Sequence, residues 1–307
     1  MAKENPLSAK PLLEHVQDQD YWHVPEAFAP GHDGQHGGHI NIPQPFKAEE
    51  PLWQMKTGNP TVDNFFEPLE FRLTKFMMIE LLVAIVIAVL FIALAARIRF
   101  GGVPRGRLWN MLEVFVEFIR NKVAVPAIGA QDADRFLPFL LTMFFFILGC
   151  NLAGMIPWMG SPTGAMGTTL ALAGVTFLVT VGAGMMELGF IGFFKAQVPH
   201  MDLPGPLKII LVPMIFLIEL VGFVIKHMVL AVRLLANMMA GHMVLGVIIG
   251  FIGAAALLSP MAAAGVAPVS TLAAVALSLL ELFVAFLQAY VFVFLAALFI
   301  GAAVHPH

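Results

Sequence analysis

Apolar residues fill five long stretches of this chain, and the polar positions within and between them set what each stretch becomes. Phe76 to Ala96 is a run of 21 residues with one charge, Glu80, near its start. A helix of that length crosses a hydrocarbon core of about 30 Å. Phe136 to Ile156 and Thr168 to Phe190 predict two further spans, joined by the turn-rich Pro157-Trp158-Met159-Gly160-Ser161-Pro162-Thr163-Gly164. Between Pro104 and Val125 the pattern changes. Leu108, Met111, Leu112, Phe115, Phe118 and Ile119 recur at helical spacing, with Arg107, Asn110, Glu113, Glu117 and Arg120 among them. That alternation predicts an amphipathic helix lying on a membrane surface.

Ile209 to Ile252 is 44 residues long and has no turn signal between Pro213 and Gly241. As one helix it measures about 66 Å, more than twice the hydrocarbon thickness. Two upright helices would need a break between Lys226 and Ala236, and that stretch holds no Gly, Pro or Asp. The better expectation is one helix inclined by roughly 60° from the membrane normal, a tilt that needs support from protein. After a Pro/Gly/Ala linker around Ser259 to Pro268, Val269 to Val304 predicts a second overlong helix packed antiparallel to the first. The expected fold is an all-α polytopic membrane protein. It has about five membrane-embedded helices, a surface amphipathic helix, and two long, strongly tilted antiparallel helices at the C-terminal end.

Composition agrees with this class: 59% of the 307 residues are hydrophobic and 12% charged, with mean hydropathy +0.85. Residues 1–70 are the exception, with eleven Asp or Glu and four Lys, broken by Pro and by a Gly/His tract. They read as a polar N-terminal tail, and residues 71–307 as the membrane-embedded domain. His32, His36 and His39 have spacings that could catch a transition metal, but nothing beside them resembles a rigid scaffold, so the expectation is a polar loop and no metal. The single Cys150 excludes an intrachain disulfide. The first twenty residues hold no apolar run of a cleavable leader, so the first hydrophobic helix is expected to direct insertion. Arg97, Arg99, Arg105, Arg107, Arg120 and Lys122 follow that helix and mark its flank as cytoplasmic. Five crossings then put the N-terminal tail outside and His305 and His307 inside, with Lys195 and Lys208 also on inner loops.

Of the seventeen Lys and Arg, only Lys226 and Arg233 fall inside long apolar runs. An arginine at the centre of a bilayer helix costs about 2.5–3.5 kcal/mol on insertion scales and keeps its proton at physiological pH. Such a cation needs a partner. At about 100° per residue, Glu219, Lys226, Arg233 and Asn237 lie within about 40° of one line, with Ala236, Ala240 and Val244 forming a low surface beside Arg233. His242 sits about 180° around the helix from Arg233 and about 13 Å along it. In the last helix Glu281 and Gln288 share a face, about 10 Å apart. If the two helices run antiparallel, His242 and Asn237 can meet Glu281 and Gln288. A His and a Glu in contact inside lipid suit a proton relay, because imidazole titrates near neutral pH and desolvation in general raises a carboxyl toward that range. The same pair would serve equally to tie two helices together. Glu219 is about 21 Å from Arg233 along its helix, and Glu281 is engaged by His242, so the carboxylate facing Arg233 is expected on another subunit. Glu187, late in its span and near Lys195, reads as a snorkelling structural carboxylate or as the lining of an inner aqueous path.

Arg233-Leu234-Leu235-Ala236-Asn237-Met238-Met239-Ala240-Gly241-His242 resembles the signature helix of subunit a of F-type ATP synthases, Arg-Leu-x-(Gly/Ala)-Asn-x-x-Ala-Gly-(Glu/His). Leu280-Glu281 through Leu287-Gln288-Ala289-Tyr290-Val291-Phe292 is similar to that family's last helix, and Asn151-Leu152-Ala153-Gly154-Met155-Ile156-Pro157 to its Asn-x-x-Gly segment. Leu235 departs from the frequent Phe. The resemblance covers roughly residues 70–304. It implies a non-catalytic subunit that forms two offset half-channels beside a rotating ring of c subunits, with Arg233 facing the rotor carboxylate. By the same resemblance Asn237, His242, Glu281 and Gln288 belong to the outer half-channel and Glu219 to the inner one, and Lys226 matches in its spacing to the arginine; Glu187, read from its position alone, and Lys226 are possible inner half-channel or structural groups. Partners so implied are the c-ring, b-type peripheral-stalk subunits and lipid, without cofactor, metal or nucleic acid, in a bacterial inner membrane. The alternative is a proton-coupled secondary transporter in which Arg233 binds an anionic substrate, although repeated halves and interrupted helices are not seen. An intramembrane hydrolase would need a His-Glu-x-x-His motif or a nucleophile with a nearby base, and neither is found.

Overall fold

A computed structural model describes Gln19 and residues 21–24, 38–44, 73–99, 106–156, 159–196 and 205–305. Helices dominate. They are α1 (Lys75–Arg99), α2 (Arg107–Ile119), α3 (Val125–Ile128), α4 (Ala133–Gly154), α5 (Met166–Ala196), α6 (Gly205–Leu258) and α7 (Pro260–Val304). Five of these, α1 and α4 to α7, are long and apolar enough to cross a membrane. The membrane-embedded part of the chain is an all-α polytopic fold.

Part of the polar residues 1–70 is described. Strands β1 (Tyr21–Val24) and β2 (Gly38–Asn41) pair antiparallel, with Tyr21 opposite Asn41 and His23 opposite His39. Their flanks fasten to the start of α1: the Lys75 N–H donates to the Gln19 carbonyl at 2.9 Å. The Gln44 side chain donates to the Leu73 carbonyl (2.7 Å) and accepts from the Leu73 N–H (2.9 Å). Hydropathy alone could not show this, because two strands of four residues each are too short for a period to be read. His32 and His36 lie outside the described residues. Among the described residues no cluster of His, Cys, Asp and Glu is arranged to hold a metal ion.

α1 is the outlying helix. Leu81, Leu82, Ile85, Val89 and Ile92 are exposed, as a lipid-facing surface requires, whereas Phe76 and Ile79 at the hairpin end are buried. Thr168 donates to Glu80 at 2.6 Å, giving the one carboxylate of this span a partner. α2 buries Leu112 and Ile119 while Leu108, Met111, Val114 and Phe118 stay exposed. Arg97 stacks over the Trp109 ring at 4.7 Å and ties α2 to the end of α1. A π-helical turn over Arg120–Ala124 then leads into α3, with the Val125 N–H reaching back to the Arg120 carbonyl. Pro126 explains the wider turn, since its ring crowds the carbonyl four residues earlier and it has no N–H to offer.

The core lies where α4, α7 and the α2–α3 segment meet, around Leu140, Ile147, Ile119, Phe292 and Ile300, with Leu230 and Leu234 added from α6. Between membrane helices lipid supplies little hydrophobic driving force, so close backbone approach matters more. Ala285, Ala289, Ala296, Ala297 and Gly301 form the fully buried small-residue ridge of α7 that permits it. α5 turns at Gly189 (φ 72°), and Phe193 beyond the kink is buried.

α6 and α7 are continuous over 54 and 45 residues and pack antiparallel with the most extensive contact in the molecule. One long helix through Lys226 to Ala236 is what the missing break predicted. The expected Ser259 to Pro268 linker is overturned, because only Ser259 lies between the helices. Pro260 takes a first-turn position where no N–H is needed, and the Ser259 Oγ accepts from the Ala262 N–H at 3.1 Å. Pro268 is accommodated within α7.

Candidate functional site

The polar side chains of α6 and α7 meet as antiparallel packing allows. His242 Nδ1 lies 2.8 Å from Glu281 Oε1, and the Asn237 side-chain amide donates to Gln288 Oε1 at 2.9 Å. Gly241 makes room for the first contact, since a Cβ there would stand 2.9 Å from Glu281 Oε1. The other His242 nitrogen, Nε2, is 3.0 Å from the carbonyl oxygen of Gly154, so α4 joins the site at its C-terminal end. Gln288 is buried, and the His242 and Glu281 side chains are mostly covered. Two titratable groups with one short contact in a desolvated place can pass a proton between them.

Further along α6, Lys226 Nζ lies 3.2 Å from Glu219 Oε1. Seven residues separate them, and two helical turns bring them together on the expected stripe. Both side chains remain about half exposed. Glu187 is held by Arg135, with Nη1 to Oε1 at 2.6 Å. That partner across 52 positions replaces the proximity to Lys195 suggested by sequence.

Arg233 is half-buried, and among the described residues its guanidinium makes no hydrogen bond or ion pair. Beside it Ala236, Ala240 and Val244 are exposed, leaving an unobstructed low surface along α6.

Three features escaped the sequence reading. The Asn151 side chain is fully buried, donating to the Ala285 carbonyl (3.2 Å) and accepting from Thr163 Oγ1 (2.6 Å), which in turn contacts Ser161 Oγ (2.9 Å). An Asn inside an apolar run was the signal for this network. His227 is also buried, its Nδ1 on the Phe223 carbonyl (2.9 Å) and its ring among Phe177, Phe223 and Phe299. Flanked by Lys226 and Met228, it was open to notice as a second titratable group near Arg233. At the opposite end from the hairpin, Arg120 clasps Asp134 with bonds of 2.6 and 3.0 Å. That bond, and then the charge behind it, holds the guanidinium above its ordinary pKa. His305 reaches Asp132 at 3.1 Å nearby and ties the end of α7 to the turn before α4.

Five helices long and apolar enough to cross a membrane, two of them 54 and 45 residues long and joined by a His–Glu contact, define a polytopic membrane protein. The family model of the ATP synthase A chain matches residues 76–301. The chain is 40% identical to the ATP synthase subunit a of Myxococcus xanthus over 242 residues, 78% of this chain and 76% of that protein. It is 34% identical to that of Rhodococcus erythropolis over 253 residues, 80% of this chain and 90% of that protein. With that of Anaeromyxobacter dehalogenans it shares 46% identity over 208 residues, 67% of this chain but only 51% of the longer relative. The chain belongs to the ATP synthase A chain family, a non-catalytic membrane component of that enzyme.

Proposed function

We propose that this chain is the proton-conducting stator subunit of an ATP synthase membrane sector, lying beside a rotating ring of c subunits. The observation that carries the reading is Arg233. A cation that cannot be discharged stands in a membrane helix without a partner among the described residues, beside an exposed surface of small side chains. The acidic groups of the same two helices are already paired. A carboxylate on a neighbouring polypeptide satisfies Arg233 across Ala236 and Ala240, and leaves when protonated because lipid then accepts it.

In this reading protons enter beside His242 and Glu281, with Asn237 and Gln288 holding the two helices in step. They neutralise the rotor carboxylate, travel with the ring, and leave through a path by Glu219 and Lys226. Arg233 keeps the two paths apart. Glu187, paired with Arg135, acts as a structural anchor. The arginine-rich end, with Arg97, Arg107, Arg120 and Lys122, faces the cytoplasm of a bacterial cell, which puts the β1–β2 hairpin on the periplasmic side of the inner membrane. The b-type stalk subunits complete the stator.

ATP-driven proton pumping in membrane vesicles tests this. Arg233→Ala is expected to abolish coupled pumping, and normal coupling in that variant would remove the assignment.

A further inference from the structure

His242 is held at both ring nitrogens, and the two partners are chemically unlike. Nε2 meets the Gly154 carbonyl oxygen at 3.0 Å, and Nδ1 meets Glu281 Oε1 at 2.8 Å. A carbonyl oxygen can only accept, so Nε2 carries a hydrogen. Between Nδ1 and Oε1 there is then one further proton, giving either a neutral imidazole beside a carboxylic acid or an imidazolium beside a carboxylate. Remove that proton and two lone pairs confront each other, so the contact opens.

We propose that the backbone carbonyl of Gly154 is a positioning group that fixes His242 in its Nε2–H form, so that protons exchanged at this pair pass through Nδ1 and Glu281 and never through Nε2. The inference deepens the relay role proposed above for His242 and Glu281, on which its functional meaning rests.

Three observations support it. First, Gly154 is the last residue of α4, where carbonyls lack intrahelical donors, and the turn bonds from Met155 and Ile156 go to Leu152 and Ala153. Among the described residues no backbone N–H takes its oxygen, which leaves it to the imidazole. Second, the position of that carbonyl is tightly set. A Cβ on residue 154 would fall 2.5 Å from Ser161 Cβ and 2.7 Å from Ser161 Oγ, so only glycine allows the loop to close against the helix end. Third, the loop is tied back to α7. Asn151 Oδ1 can only accept, so Thr163 spends its hydrogen there and Ser161 Oγ must donate to Thr163 Oγ1. Asn151 then donates to the carbonyl of Ala285, one helical turn from Glu281. Ser161, Thr163 and Asn151 are all buried. A closed circuit of contacts thus holds both partners of the imidazole relative to each other.

The test is nitrogen-15 NMR of histidine-labelled, assembled ATP synthase in lipid vesicles, with the His242 signals identified by their loss in His242→Gln. Nε2 is expected to read as protonated across the pH range, while Nδ1 alone changes as the pair gains or loses its proton. Gly154→Ala should shift Nε2 toward a mixture of protonated and bare forms, and adding Ser161→Gly, which relieves the two closest contacts, should move it back. A neutral His242 with bare Nε2 and protonated Nδ1 in the unaltered complex would overturn the proposal. So would an assembled Gly154→Ala complex with unchanged His242 signals. Failure of the parent reading looks different: normal proton entry in His242→Ala would remove the relay and leave the tautomer result standing.

Discussion

The two acid–base pairs on α6 differ in nearly every physical respect. His242–Glu281 joins two helices, leans on a third through Gly154, and leaves its side chains 16% and 11% exposed. Lys226–Glu219 lies within one helix, with side chains 51% and 42% exposed. An exposed pair of this kind is worth little, about 0–1 kcal/mol, because water and salt compete for both charges. A covered pair exchanges protons only along the contacts built for it. One end of the helix thus carries a device defined by geometry, and the other a site defined by access. Arg233 stands between them.

Substitutions that treat the two pairs alike should bring out the contrast. The largest effect is expected at the covered pair: Glu281→Ala or His242→Ala alone should impair proton entry in vesicle pumping assays. Exchanging the two side chains should recover part of it, since one imidazole and one carboxyl remain in contact. An exchange no better than either single change would mean that the pair only fastens helices. Glu219→Gln should act more mildly, slowing pumping while changing the unfolding free energy of the detergent-solubilised subunit, measured by urea titration, by less than about 1 kcal/mol. The smallest effect belongs to Arg135→Ala. It breaks the pair with Glu187, whose side chains are 43% and 38% exposed, and should lower stability by less than about 1 kcal/mol with coupling intact.

Periodicity made much of this visible. The helical stripe of Glu219, Lys226, Arg233 and Asn237 follows from spacing alone, and so does the ability of His242 to face Glu281 once α6 and α7 run antiparallel. A short turn remained hidden because Pro260 and Pro268 look like linker residues, although the first turn of a helix tolerates proline well. Partners far apart in sequence stayed hidden for another reason. Arg135 and Glu187, or Asn151 and the Ala285 carbonyl, are neighbours only after helices on different parts of the chain have packed. Main-chain groups leave no mark on hydropathy at all, so the Gly154 carbonyl became visible only with its oxygen placed beside the imidazole.

The turn at Ser259 has a consequence for how this sequence can change. With one residue between two long helices there is no slack to absorb an insertion or a deletion. Adding a single residue within α7 before Glu281 would turn everything beyond it by about 100° and advance it by about 1.5 Å. The contacts from His242 to Glu281 and from Asn237 to Gln288 would then lose alignment together. The pair of helices behaves as a vernier whose zero is set at Ser259, and length is as constrained there as any side chain.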